Sequence, residues 1–348
     1  MAWLPQSPVS AGAAPSTLIA AGTTVMAKAT DTSISLEAAR RVPGAVAPVE
    51  RLRRWVQRNW YPLATISPTV VILFLLTIFP LIYAVYISFQ NFELPRPHLA
   101  TFIGLGNFAE VLADGRFWVA LYQTAILMVG AITVQFVLGL ALATFFFDDF
   151  RGRSAKSIYL PLILIPMMIA PVLVGYMWRL IFQVEFGPLN YLLLNVFGRG
   201  PYEWTSSTSL ALASVILVDI WQWTPFVTVV LLAGMASLSL ELLEAAQIDG
   251  ANAWQRLVHV ILPLIRNVIA IVLLIRFLDA FREFDKIFVL TQGGPGTATE
   301  VASYYAYLSG FKFFRVGYAS AMAILLLFVT VILCTTIARL LQRTQEAE

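Results

Sequence analysis

A chain of 348 residues in which 59% of the side chains are hydrophobic and only 12% are charged is not an ordinary soluble domain, where about a quarter of residues carry charge. Its formal net charge of +3 is too small to leave a nucleic-acid footprint. The single cysteine, Cys334, excludes an internal disulfide and a cysteine metal cluster, and His98 and His259 lie too far apart in the sequence to point to a metal site. The composition is that of an all-α polytopic membrane protein needing no cofactor.

In chain order, residues 1–58 come first: rich in Ala, Ser, Thr and Pro, uncharged before Lys28, and without the apolar core of a secretory signal. They read as a disordered cytoplasmic tail, with Met26 as an alternative start. Six apolar segments long enough to cross hydrocarbon follow: Leu63–Phe89, Phe117–Phe147, Ile158–Phe182, Leu210–Met235, Ile265–Leu290 and Val316–Leu341. Arg51, Arg53, Arg54 and Arg58 precede the first. Arg151, Arg153 and Lys156 fill the second connection, Arg256 and Arg266 the fourth, and Arg339 and Arg343 close the chain. Cytoplasmic connections carry the excess of Lys and Arg, so both termini are expected inside. Pro80, Pro161, Pro166, Pro171 and Pro225 fall within spans and read either as ordinary kinks or as helices shaped around a cavity.

Between the fourth and fifth spans, over about 237–264, the pattern changes to two short helices. Ser239 is placed to cap the first, with Glu241 in its first turn. Gly250 suits a left-handed position at its end. Asn252 and Gln255 form a capping-box start for the second. Trp254, Leu257, Val258, Ile261 and Leu262 then make one apolar stripe, and Pro263 ends or kinks that helix.

This stretch, "EAAQIDG" followed by "VILP", resembles the cytoplasmic EAA loop of bacterial ABC importer permeases. Glu244, Ala245, Ala246, Gly250, Leu262 and Pro263 fit the spacing of that motif, with Val260 where Ile is usual. "FIGLGNF" (Phe102–Phe108) and "LDAFREFDKIFVLTQGGPGTATE" (Leu278–Glu300) are similar to segments of carbohydrate permeases, and the likeness covers residues 59–343. The resemblance implies a transmembrane domain of six helices and a coupling loop that docks on ATPase subunits. There Glu244 would face a basic cleft, Gly250 would permit the bend, and Trp254 and Leu257 would anchor the second helix to the bundle. It further implies a second homologous permease, two cytoplasmic ATPases and an external solute-binding protein as partners. The expected cargo is a carbohydrate or polyol.

None of the four lysines, Lys28, Lys156, Lys286 and Lys312, follows a glycine, so no P-loop exists, and no hydrolytic nucleophile–base motif is present. Hydrolysis of ATP is expected on the partners. "GGPGTATE" reads as a turn. Charged residues inside a membrane face a cavity or a partner. In span five, Arg276–Asp279, Arg282–Asp285 and Glu283–Lys286 are spaced to neutralise one another. Asp219 has no opposite charge near it in sequence. With Gln222 and Trp223 on the same helical face it is a candidate for the substrate path, or else bonds to a neighbouring helix. A phosphorylated cargo would draw on Arg179 and Arg276. A proton site at Asp219 would suit an ion-coupled secondary transporter, a class in which inverted repeats are expected and none is visible here.

Overall fold

The computed structural model describes residues 48–58, 60–150 and 156–346. It divides into two units, one ending at Val71 and the other running from Ile72. Arg151 and Arg153 and residues 1–47 of the expected tail lie outside the described residues. Of that tail, Pro48–Arg58 is helical (α1), against the expectation of disorder. The reason is readable: Pro48 starts the helix, Glu50 sits in its first turn, and Val49, Leu52, Trp55 and Val56 recur at helical spacing between arginines.

Helix α2 (Trp60–Leu73) continues through a π-helical turn, Phe74–Ile78, into α3 (Phe79–Ser88). Pro80 has no N–H to give the Leu76 carbonyl, and the widened turn falls around that carbonyl. A two-residue ribbon follows, β1 (Gln90–Asn91) antiparallel to β2 (Thr101–Phe102), with Gln90 opposite Phe102. Next come α4 (Gly106–Ala113), the long α5 (Gly115–Phe150) and α6 (Lys156–Met168). After these the chain forms α7 (Pro171–Ile181), α8 (Pro188–Phe197) and α9 (Ala211–Ala236).

Helices α10 (Leu240–Ile248) and α11 (Ala253–Arg256) make up the loop. A π turn, Leu257–Ile261, leads from them to α12 (Leu262–Leu264). Helices α13 (Arg266–Phe281), α14 (Asp285–Leu290), α15 (Ala302–Tyr307) and α16 (Val316–Glu346) complete the fold.

Among the described residues, four helical runs are long and apolar enough to cross a membrane: Trp60–Ser88, Gly115–Phe147, Ala211–Ala236 and Val316–Ile337. The third and fifth expected spans are not single straight helices. Tyr159–Met168 meets Pro171–Ile181 at 99°, and Ala253–Leu264 meets Arg266–Leu290 at 74°. Each bend has a local cause. Pro171 disfavours a helical residue before it, and Ala170 is extended, with ψ 136°. Past Pro263 the backbone leaves the helix at Ile265, with φ −96° and ψ 11°. The fifth span breaks again between Phe281 and Asp285.

The centre of the bundle is α9, with 56% of its most apolar window buried, against 28% for α5 and 11% for α16. It crosses α5 so closely that a Cβ on Gly139 would stand 2.7 Å from Val227 Cγ1. Small residues permit such approach where van der Waals contact drives association in lipid. Around the lower half of this pair a core forms from Phe146, Val227, Leu231, Met235, Leu243 and Ile265. A second core joins Leu127, Val174, Val218, Ile287 and Tyr304.

Candidate transport path and coupling surface

Asp219 sits in the middle of α9, 0% exposed. It is not the lone carboxylate that its sequence neighbourhood implies. Arg276 Nη2 donates to its Oδ2 at 3.0 Å, and Lys286 Nζ stands 3.0 Å from its Oδ1. The break between α13 and α14 explains how one carboxylate meets two cations ten positions apart in sequence. The chain leaves the helix after Phe281 and returns Lys286 to the same buried point. Gln135 of α5, a residue with no part in the sequence reading, completes the cluster. Its amide donates to Asp219 Oδ2 at 2.7 Å and its carbonyl accepts from Arg276 Nε at 3.0 Å. The available signal was an amide in the middle of an apolar span.

The expected pairing within span five holds for Glu283 and Lys286, 2.5 Å apart. It does not hold for Arg282 and Asp285. Arg282 instead bonds Asp279 at 2.8 Å, back along the same helix, because α13 ends before Asp285 begins the next one. The expected pairing also holds for Arg276 and Asp279 as an ion pair, with Nη1 3.9 Å from Oδ2, though beyond hydrogen-bond reach.

Gln222 is also fully buried. Its amide donates to the Ile169 carbonyl at 3.1 Å, and its own carbonyl accepts from Lys286 Nζ at 3.3 Å. Ile169 lies at the 99° bend, where the α6 ladder stops. Gln222 therefore caps a carbonyl that the bend exposes. Of the three residues expected on one face, Asp219 and Gln222 point into the bundle. Trp223 lines a cavity of about 390 Å³ with Pro171, Asp279, Arg282, Glu283, Phe284 and Lys286. The Arg276 guanidinium lies over the Trp223 ring, 4.8 Å from its centroid, and fixes the indole at the cavity wall. Trp221 turns away, edge-on to Trp178 at 5.6 Å.

At the far end of α5, beyond Phe147, lies the two-helix loop. Its capping box is complete: the Gln255 amide donates to Asn252 Oδ1 at 2.8 Å and the Asn252 amide to Gln255 Oε1 at 2.9 Å. Gly250 has φ +82°, the left-handed conformation its position demanded. Ser239 occupies the first N-cap without a side-chain bond. It is exposed.

Glu244 and Ala245 are exposed, Ala246 is half-buried, and Glu244 stands beside a cavity of about 740 Å³ with Leu160, Leu232, Leu238 and Leu240. Leu257 and Leu262 are half-buried, Pro263 is exposed, and Leu257 packs on the lower core. Trp254 is 71% exposed and does not anchor the second helix. The π turn at Leu257–Ile261 adds a residue to the winding and rotates what precedes it by about 100°, which carries Trp254 off the apolar stripe. Leu243, 2% exposed, anchors the loop instead.

The opposite end of α5 is tied down by polar bonds. Tyr305 and Tyr318 hydroxyls donate to Asp114 Oδ2 at 2.5 and 2.6 Å, and Arg116 forms a two-pronged pair with Glu300, both contacts 2.7 Å. Glu300 closes the glycine-rich segment, which is a turn held by Thr299 Oγ1 donating to the Gly294 carbonyl at 2.8 Å. In the "FIGLGNF" segment, Asn107 ties the Ser88 and Gln90 carbonyls, each at 2.8 Å.

Residues 135–346 match the family described as the binding-protein-dependent transport system inner membrane component. Over 300 residues the chain is 40% identical to a probable ABC transporter permease protein of Sinorhizobium fredii, covering 85% of this chain and 94% of that one. Over 263 residues it is 38% identical to a trehalose transport system permease protein of Mycobacterium tuberculosis, covering 75% and 82%. In fold it resembles a chain of a bacterial alginate ABC transporter crystallised with an alginate pentasaccharide-bound periplasmic protein. That likeness has a TM-score of 0.71 and 23% identity over 84% of this chain and 98% of that chain.

Proposed function

Because the chain belongs to the family of binding-protein-dependent transport system inner membrane components, we propose that it is the permease subunit of an ATP-driven importer for a sugar or polyol. The observation that carries the cargo class is the 38% identity to a trehalose permease across 82% of that protein. In this reading the termini and the α10–α11 loop face the cytoplasm. A second, related permease completes the path, two ATPase subunits grip the loops, and a solute-binding protein delivers cargo from outside.

Glu244, Ala245, Ala246 and Gly250 present the docking face, and Leu257, Leu262 and Pro263 transmit its movement to α13 across the 74° bend. Trp254, being exposed, belongs to the docking face. Trp223 is the cargo-facing residue of its group, its indole set to stack on a sugar ring beside the Asp279 carboxylate. Asp219 and Gln222 act behind it, as positioning residues. Arg276 and Arg282 each hold a carboxylate, and Arg179 donates to the Val289 carbonyl at 3.3 Å. The cations that a phosphorylated cargo needs are thus engaged, and a phosphorylated cargo such as glycerol phosphate ranks second.

The test uses the assembled transporter in proteoliposomes. Glu244→Lys sets a cation against the expected basic cleft, and Gly250→Val opposes the left-handed backbone. Both variants leave every span intact. The expected result is loss of uptake with hydrolysis either absent or no longer stimulated by loaded binding protein. Normal uptake and normal stimulation in both would remove the coupling role. Trp223→Ala is expected to cost about 0.5–1.5 kcal/mol of cargo binding, a loss of several-fold. It should also shift the preference between disaccharides and polyols. Unchanged selectivity would exclude Trp223 from the path.

A further inference from the structure

Helix α8 is inside out. Its buried stripe is polar at its centre: Asn190, 4% exposed, lies between the half-buried Leu189 and Leu193. Its outward face is apolar, with Leu194 51%, Val196 65% and Phe197 63% exposed, beside Tyr191 and Leu192. The helix contains no charged residue; Glu185 precedes it and Arg199 follows it.

Asn190 is a fastener. Its amide donates to the Tyr202 carbonyl at 3.0 Å and to the Gln183 carbonyl at 3.3 Å. Its carbonyl accepts from Tyr202 N at 3.1 Å and Trp204 Nε1 at 2.9 Å. Asn195, on the outward face, donates one N–H to its own helix at the Tyr191 carbonyl, 2.8 Å away.

We propose that α8 lies in the plane of the bilayer surface as an interfacial helix, with lipid covering its outward face where α7 ends and α9 begins. Length decides against a span: 10 residues reach about 15 Å, half of a hydrocarbon core. Composition decides against a neighbouring permease helix. Tight helix pairs in membranes use Gly, Ala, Ser and Thr, whereas the outward positions here carry large aliphatic and aromatic groups. Aromatic residues at both ends, Phe186 and Phe197, and charges just beyond them suit the headgroup boundary. The proposal needs only that the chain spans a membrane, so it stands or falls independently of the cargo.

The test is spin labelling of the assembled transporter in lipid, on a Cys334→Ala background. Leu192, Leu194 and Val196 are changed to Cys one at a time, with Glu203→Cys as the exposed control. All are surface positions outside the cores described above. Collision with oxygen should exceed collision with a soluble nickel chelate at 192, 194 and 196, and the order should reverse at 203. Nickel exceeding oxygen along α8 would mean water and overturn the proposal. Low collision with both probes would mean cover by protein and overturn it equally.

Discussion

Asp219 shows what one buried charge commits its neighbours to. Removing one partner of a buried ionic cluster leaves the others uncompensated, typically at about 3–5 kcal/mol. Asp219→Asn keeps the shape but leaves Lys286 with Glu283 and Arg276 with only the more distant Asp279. It should lower the thermal unfolding midpoint in detergent markedly and reduce assembly. Adding Lys286→Met should recover part of that loss, and no recovery would contradict the shared-carboxylate account. Asp114 makes a second case, outside the spans. Burial works to raise its carboxyl, but hydroxyl bonds from Tyr305 and Tyr318, with the Arg116 amide and guanidinium, hold it below its ordinary value. A depressed folded value means the stabilisation is full at neutral pH and is lost as pH falls through that value. The stability gap between wild type and Asp114→Asn should therefore close on acidification. A gap that stays constant to the lowest accessible pH would refute the assignment.

At the level of elements, prolines work through the residues before them. The π turns ahead of Pro80 and Pro263 and the extended Ala170 ahead of Pro171 are the same response to a missing N–H and a crowding ring. Two consequences could not be read from periodicity. The bend at Ala170 exposes the Ile169 carbonyl that Gln222 covers, and the π turn shifts Trp254 off its stripe. The α5–α9 crossing is a close contact between elements. Gly139→Val places side-chain atoms inside the space of Val227. Overpacking of this kind costs about 1–3 kcal/mol, so the variant should unfold earlier and transport poorly. Gly115→Ala, whose added Cβ meets nothing within 4 Å, should behave as wild type. Equal behaviour of the two would show that α5 and α9 do not approach as described.

For the whole molecule, α5 links a polar clamp at one end to the α10–α11 loop at the other, with the charge cluster between them. The proposed orientation assigns the clamp to the outside and the loop to the cytoplasm. On a Cys334→Ala background, Leu105→Cys and Gln247→Cys are both exposed positions. An impermeant thiol reagent on intact cells should label the first and spare the second. Labelling at 247 but not at 105 would invert the topology and with it the assignment of the coupling loop.

What the sequence by itself determined is whatever depends on local order. The apolar runs follow from hydrocarbon thickness, the capping box from Asn252 and Gln255 three residues apart, and the left-handed turn from Gly250. The spacing from Glu244 to Pro263 pointed to the family because motif spacing is a one-dimensional property. Tertiary structure alone decided which charges meet. Arg276 and Lys286 reach Asp219 across 57 and 67 positions, and Gln135 reaches it from another helix. Nothing in the order of residues encodes those distances. It also decided that Trp223 faces a cavity while Asp219 does not. A helical wheel ranks neighbours by angle, but the bend between α6 and α7 and the break after α13 determine where the empty space lies.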